Sequence, residues 1–191
     1  KLLELTTTIT LYDHTPGVFF HTEYDNTIKD HRLRAHIRTD MYDTHVTCDA
    51  PFTLVRRPVR IDGATIPTKN AEGVSNSHPL QNSVTIAQNK RQLSLLSHGL
   101  CEYEAIPEDD QVTLALTLVR SVGWLSRDDL QTRKNRVAKQ MPVHGAQVQR
   151  HMTADYAIFP SDDDNPAKIL QAGIEFNHPL SAYQLDTPLS R

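Results

Sequence analysis

Two stretches of strict alternation limit what this chain can fold into. From Arg32 to Arg38, Leu33, Ala35 and Ile37 fall on one face of a strand, and Arg32, Arg34, His36 and Arg38 fall on the other. From Val112 to Val119, Val112, Leu114, Leu116 and Leu118 alternate with Thr113, Ala115, Thr117 and Val119. Period two marks strands rather than helices. The second stretch is largely apolar on both faces, which fits a central strand.

The same signature recurs along the chain. Strands are expected over Thr7 to Tyr12, Val18 to Tyr24, Phe52 to Arg56, Ser83 to Ile86, Leu93 to Leu96 and Leu100 to Ile106. Turn chemistry separates them at Pro16-Gly17, Asp62-Gly63, Ser97-His98-Gly99 and Pro107 to Asp110. Pro58 to Pro79 lacks apolar periodicity and reads as a long loop. The fold class is therefore all-β, an antiparallel β-sandwich of supersandwich-like kind. One short helix near the C-terminus is expected. Asn165 caps it, Pro166 suits its first position, Asp162 to Asp164 favour its positive end, and Ile169, Leu170, Ile174 and Phe176 supply its buried side. A weaker start lies at Ser126, where Asp129 completes a capping box opening a turn through Arg133.

Composition narrows the function. A formal charge of -3 gives no electrostatic reason to expect nucleic acid or an anionic membrane as partner. No apolar run approaches the roughly 20 residues of a membrane span. Cys48 and Cys101 are the two cysteines, too few for a disulfide framework, and reduced thiols in a cytoplasmic protein are the simpler expectation. The ten histidines include no His-x-His and no His-Glu-x-x-His, so no metal site is expected. The missing initiator Met and the strand-like opening lead to the expectation of a fragment of something longer.

Two polar segments stand out. Asp25 to Arg34 begins as a turn and ends in the alternating strand; its Asn26, Asp30, His31 and Arg32 combine amide, carboxylate, imidazole and guanidinium. Such a set can bind sugar hydroxyls, or it can brace a turn through ion pairs. Arg120 to Arg133 follows the central strand and places Trp124 beside Arg127, Asp128, Asp129 and Arg133. Trp124 can be a stacking platform for a sugar or can cap the core, and Asp128-Asp129 can open a helical turn. Adjacent carboxylates diverge on a strand and stand about 100° apart on a helix, so this pair does not define a glycosidase acid and nucleophile. No catalytic residue is assigned.

Taken together, Asp25-Asn26, Lys29 to Arg34, Phe52 to Pro58, His78-Pro79, Leu93 to Glu104, Leu114 to Arg133, Gly145-Ala146-Gln147 and Phe176 to Leu180 resemble, in collinear order, the C-terminal region of glycoside hydrolase family 38. Leu114 to Arg133, with Leu116 to Arg127 within it, is especially similar to its bacterial members. The resemblance implies that residues 1–191 form one C-terminal β-domain of a retaining α-mannosidase-type enzyme. Zinc, nucleophile and general acid would then belong to an N-terminal catalytic domain of the same chain. The fragment alone would be inactive, packing on that domain and completing the edge of the mannoside site. In eukaryotic members an arginine shortly after Asp-Asp reaches the sugar. Arg133 is the nearest match here, at a longer spacing, and Arg127 is the alternative.

Overall fold

A computed structural model describes residues 2–61, 75–129, 138–163, 165–178 and 180–184. Eleven strands and one helix are seen among them. β1 (Leu5–Leu11), β2 (Val18–Asp25), β4 (His45–Ala50), β5 (Thr53–Pro58), β7 (Ser83–Gln88), β8 (Arg91–Ser97) and β11 (His151–Ser161) form a seven-stranded sheet ordered β1-β2-β11-β8-β7-β4-β5. β3 (Arg32–Arg38), β6 (Ser77–Pro79), β9 (Glu102–Pro107) and β10 (Val112–Arg120) form a four-stranded sheet ordered β3-β10-β9-β6. All pairings are antiparallel, and the two sheets pack as the expected sandwich.

β10 is central as read: every residue from Val112 to Val119 is buried. Its inner residues Val112, Leu114, Leu116 and Leu118 meet Val84, Ile86, Leu95, Val46 and Tyr156 of the large sheet, with Leu33, Ala35 and Ile37 of β3 packed at the margin. On the outer face the β3 arginines lie over β10 and pair with β9. Arg32 reaches Glu102 at 2.8 Å, Arg34 reaches Glu104 at 2.6 Å, and Thr117 both accepts from Arg32 and donates to Glu102. Arg32 and Arg120 are direct cross-strand neighbours of like charge, and Glu102 between them offsets their repulsion. The long arginine stems also shield the outward face of β10, where Thr113, Ala115 and Thr117 are buried.

Helix α1 (Pro166–Asn177) forms as read, with the Asn165 side chain accepting from the Ala167 amide and Lys168 pairing with Asp163. Its buried side needs correction. Leu170 and Ile174 are 36% and 44% exposed, whereas Gly173 is buried. A Cβ on Gly173 would lie 3.1 Å from the Cβ of Asn82, so the helix backbone itself approaches the start of β7. That close approach puts Ile169, Gly173 and Phe176 inward and rotates Leu170 and Ile174 away.

Other boundaries also differ. Phe52 is not strand but sits in the β4–β5 turn at φ 68°, fully exposed. Leu100 and Cys101 precede β9, which begins at Glu102. Ser77–Pro79 is strand rather than loop, pairing with β9, and residues 62–74 of that expected loop lie outside the described residues. β4 and β11 were not anticipated at all. Among the described residues no helix is long and apolar enough to cross a membrane.

Across the outer face of the large sheet, His21 and Asp155 are cross-strand partners joined at 2.6 Å, with Glu23 at 3.6 Å from the same ring. The Asp155 hydrogen bond and charge, helped by Glu23, raise the His21 pKa above the ordinary 6.5. A raised folded-state pKa adds stability that is fully present below the unfolded pKa and is lost as pH rises through the folded value. His21→Gln should therefore cost most below pH 6.5 and progressively less above it; urea midpoints across pH test this, and a loss that grows with pH would sink it. The ring is half exposed, so the effect should be modest.

Candidate functional site

The two polar segments singled out in the sequence meet at one end of the sandwich. β2 ends at Asp25, and the turn from Asn26 to His31 carries the chain across to β3. β10 ends at Arg120, and the Ser121 amide donates to the His31 carbonyl at 2.8 Å, joining the segments directly. A third segment, residues 141–148, closes the cluster. Its backbone pairs with the stretch after β10 through Val122 to Ala146, Val143 to Gly123 and Leu125 to Met141, and Trp124 bridges to Pro142.

Asn26 anchors this junction. It is 2% exposed, and its Nδ2 donates to Ser121 Oγ and to the carbonyls of Gln147 and Val148. Gln147, on a short 3₁₀ turn (His144–Gln147), clasps Asp30 twice: its Oε1 accepts from the Asp30 amide at 2.8 Å, and its Nε2 donates to Asp30 Oδ1 at 2.9 Å. Gly123 makes room for that clasp, since a Cβ there would stand 2.8 Å from Gln147 Nε2 and 3.0 Å from Asp30 Oδ1. Asp30 and Val148 both adopt left-handed backbone, at φ 52° and 51°; for a β-branched residue this is a strained conformation. The hydrogen bonds from Asn26 and Gln147 hold both in place.

Some polar atoms here remain unmatched. Asn26 Oδ1, both ring nitrogens of His31 and Ser126 Oγ are buried with no hydrogen-bond partner among the described residues. Ser126 therefore does not act as the cap expected of it. Asp129, the other half of that capping box, is instead gripped by Arg127 in a forked pair, Nε to Oδ1 at 2.8 Å and Nη2 to Oδ2 at 2.5 Å. This bond holds the Asp129 carboxyl below the usual carboxylate range. Asp128 is exposed beside it, and Arg133 lies outside the described residues.

Trp124 does not cap the core. It is 47% exposed, and Val122, Leu125 and Met141 on the same backbone-paired segments are also substantially exposed. Of the first polar segment, Arg32 belongs to the ion-pair network of the small sheet, which is the bracing alternative. Asp30 and Asn26 belong to the junction itself. Sequence reasoning missed Ser121, Gly123 and Gln147 as partners, because each acquires its role only through contacts distant along the chain.

Residues 2–131 match the family described as glycosyl hydrolases family 38 C-terminal domain. A Halalkalibacterium halodurans protein named for mannosylglycerate hydrolase activity is 29% identical over 123 residues, 64% of this chain and 13% of that protein. Among solved structures, an α-mannosidase from Enterococcus faecalis V583 superposes with a TM-score of 0.72 at 25% identity, covering 90% of this chain and 18% of its own. A protein in glycosyl hydrolase family 38 from Enterococcus faecalis gives 0.69, with the same identity and coverage. This chain thus spans less than a fifth of the length of each of these relatives. With more than half its length matched, it belongs to the glycosyl hydrolase family 38 C-terminal domain family.

Proposed function

We propose that this chain is the accessory β-domain of a retaining α-mannosidase-like hydrolase, packing on a catalytic domain of the same polypeptide and completing the edge of its mannoside site. The observation that supports this reading most is the junction of Asp25–Arg32 with Ser121–Asp129. It combines exposed apolar side chains, strained backbone and unmatched buried polar atoms, as expected of a surface finished by another domain. Trp124, Leu125, Val122 and Met141 would be the apolar contact. Arg133, with Arg127 as the alternative, would be the side chain that contacts the sugar.

Zinc, which the family resemblance implies for the parent, does not fit the residues at hand. Among the described residues no group of three or more His, Cys, Asp or Glu side chains is arranged to hold a metal. In this reading the metal would be held by the catalytic domain of the parent. This domain's part is to position: the clasped Asp30–Gln147 junction holds the segment after β10, and that segment presents its charged residues.

The half-exposed Trp124 favours a second reading, a non-catalytic module that holds glycan on its own. Titrating the 191-residue chain with mannose and mannobiose separates the two. An accessory half-site should show neither saturable binding nor turnover of aryl α-mannosides. Saturable binding abolished by Trp124→Ala would support the module, and turnover surviving repurification would overturn both readings.

A further inference from the structure

The flank of the large sheet at β1 has its apolar residues on the wrong side for a surface strand. Leu5, Ile9 and Leu11 are 47%, 62% and 72% exposed. Their cross-strand partners are Tyr24, Phe20 and Val18. Phe20 packs against the core and stacks on buried Tyr156 at 5.0 Å, so Leu5, Ile9 and Leu11 stand on the sandwich-interior face of the sheet. The exterior face of β1 carries Thr6, Thr8 and Thr10. The strand is thus patterned for burial on the side where four strands oppose seven and nothing among the described residues lies over it.

The edge is equally unfinished. β1 is the terminal strand of its sheet, pairs with β2 in unbroken register, and over Leu-Thr-Thr-Thr-Ile-Thr-Leu has no lysine, proline or bulge. Natural edges are usually blunted by one of these, because an unpaired row of amides and carbonyls invites another strand.

We propose that in the intact enzyme this flank is interior: a strand from the parent polypeptide outside these 191 residues pairs with the free edge of β1, and the layer opposite continues over Leu5, Ile9 and Leu11. A second copy fits less well. Pairing two β1 edges about a two-fold would satisfy the backbone, yet it would leave both sets of apolar side chains uncovered, since each small sheet reaches only its own half. The parent has chain to spare, given that this sequence spans 18% of the matched α-mannosidase. The inference rests on the reading that this is one domain of a longer enzyme, but not on that domain's part in the sugar site.

Peptide-resolved hydrogen exchange on the full-length enzyme tests it, joined to maleimide labelling of Ile9→Cys in the same enzyme. Consecutive amides from Leu5 to Leu11 should be protected as strongly as those of Val18–Asp25, and Ile9→Cys should label at least ~10²-fold more slowly than in denaturant. Exchange of every second β1 amide at unprotected rates would overturn the proposal without any substitution. Labelling of Ile9→Cys as fast as in denaturant would overturn it too, and so would protection that vanishes on dilution to a monomer, which would assign the flank to a second copy. None of these results bears on the arginine contacts at the other site, so the two readings fail separately.

Discussion

Truncating Leu116 to Ala should destabilise the domain by about 2 to 5 kcal/mol. Leu116 is fully buried on the inner face of β10, facing Ala35 on one neighbouring strand and Tyr103 on the other. Its methyls therefore fill the layer between the sheets, and strands tied on both sides leave little freedom to collapse into the space their removal creates. The transfer cost and the residual cavity both count against the folded state. Leu114→Ala and Leu118→Ala should fall in the same range. Leu170→Ala, on the outward side of α1, should cost far less, within about 0.5 kcal/mol or little more. Urea unfolding of the four variants checks the contrast. A loss below about 1 kcal/mol at Leu116 would mean that β10 is not the strand on which the two sheets close.

Leu116 was legible from sequence because two-sided burial writes itself as a continuous apolar run. The strands that escaped notice show what obscures that signal. β11 does alternate, with Met152, Ala154, Tyr156 and Ile158 inward, but its alanines, Asp155 and Pro160 are poor strand formers and mask the period. Asp155 is there to bond His21 across the strand pair. In β4 the buried Asp49 argues against strand by propensity, yet its carboxylate accepts from the amides of Gln81, Asn82 and Ser83. That bond set ties the entry of β7 to the end of β4, a reason located 32 to 34 residues away.

The candidate site divides the same way. Its members were visible as residue types: Asn26, Asp30, His31, Arg127 and Asp129 all belong to the segments singled out. Their grouping was not, because Gln147 lies 117 residues from the Asp30 it clasps, and Ser121 lies 95 residues from Asn26. Local pattern left Trp124 open between core cap and surface platform, and it misjudged Ser126. A serine three residues before an aspartate reads as a cap. Here the tryptophan is left half exposed, and Arg127 draws the aspartate away from the serine.

That diversion of Asp129 sharpens the expected result at the two arginines. Arg127 spends one edge of its guanidinium, Nε and Nη2, on Asp129, so its charge is already paired within this domain. Arg133, the position that the family resemblance selects, is the one proposed to donate to the sugar or to a carboxylate of the catalytic domain. In the full-length enzyme Arg133→Ala should lower kcat and kcat/KM together by about 10²-fold or more, the mark of an interaction that strengthens in the transition state. Arg133→Lys should recover little, because an ammonium offers a point charge where a planar fork is required. Arg127→Ala should leave kcat within about threefold, since the pair it breaks is exposed and such pairs contribute little. Thermal unfolding of each variant separates a kinetic role from a structural one. A large kinetic loss at Arg127 with none at Arg133 would reverse the assignment. Unchanged turnover in both would leave this domain a scaffold that holds the catalytic domain without touching its substrate.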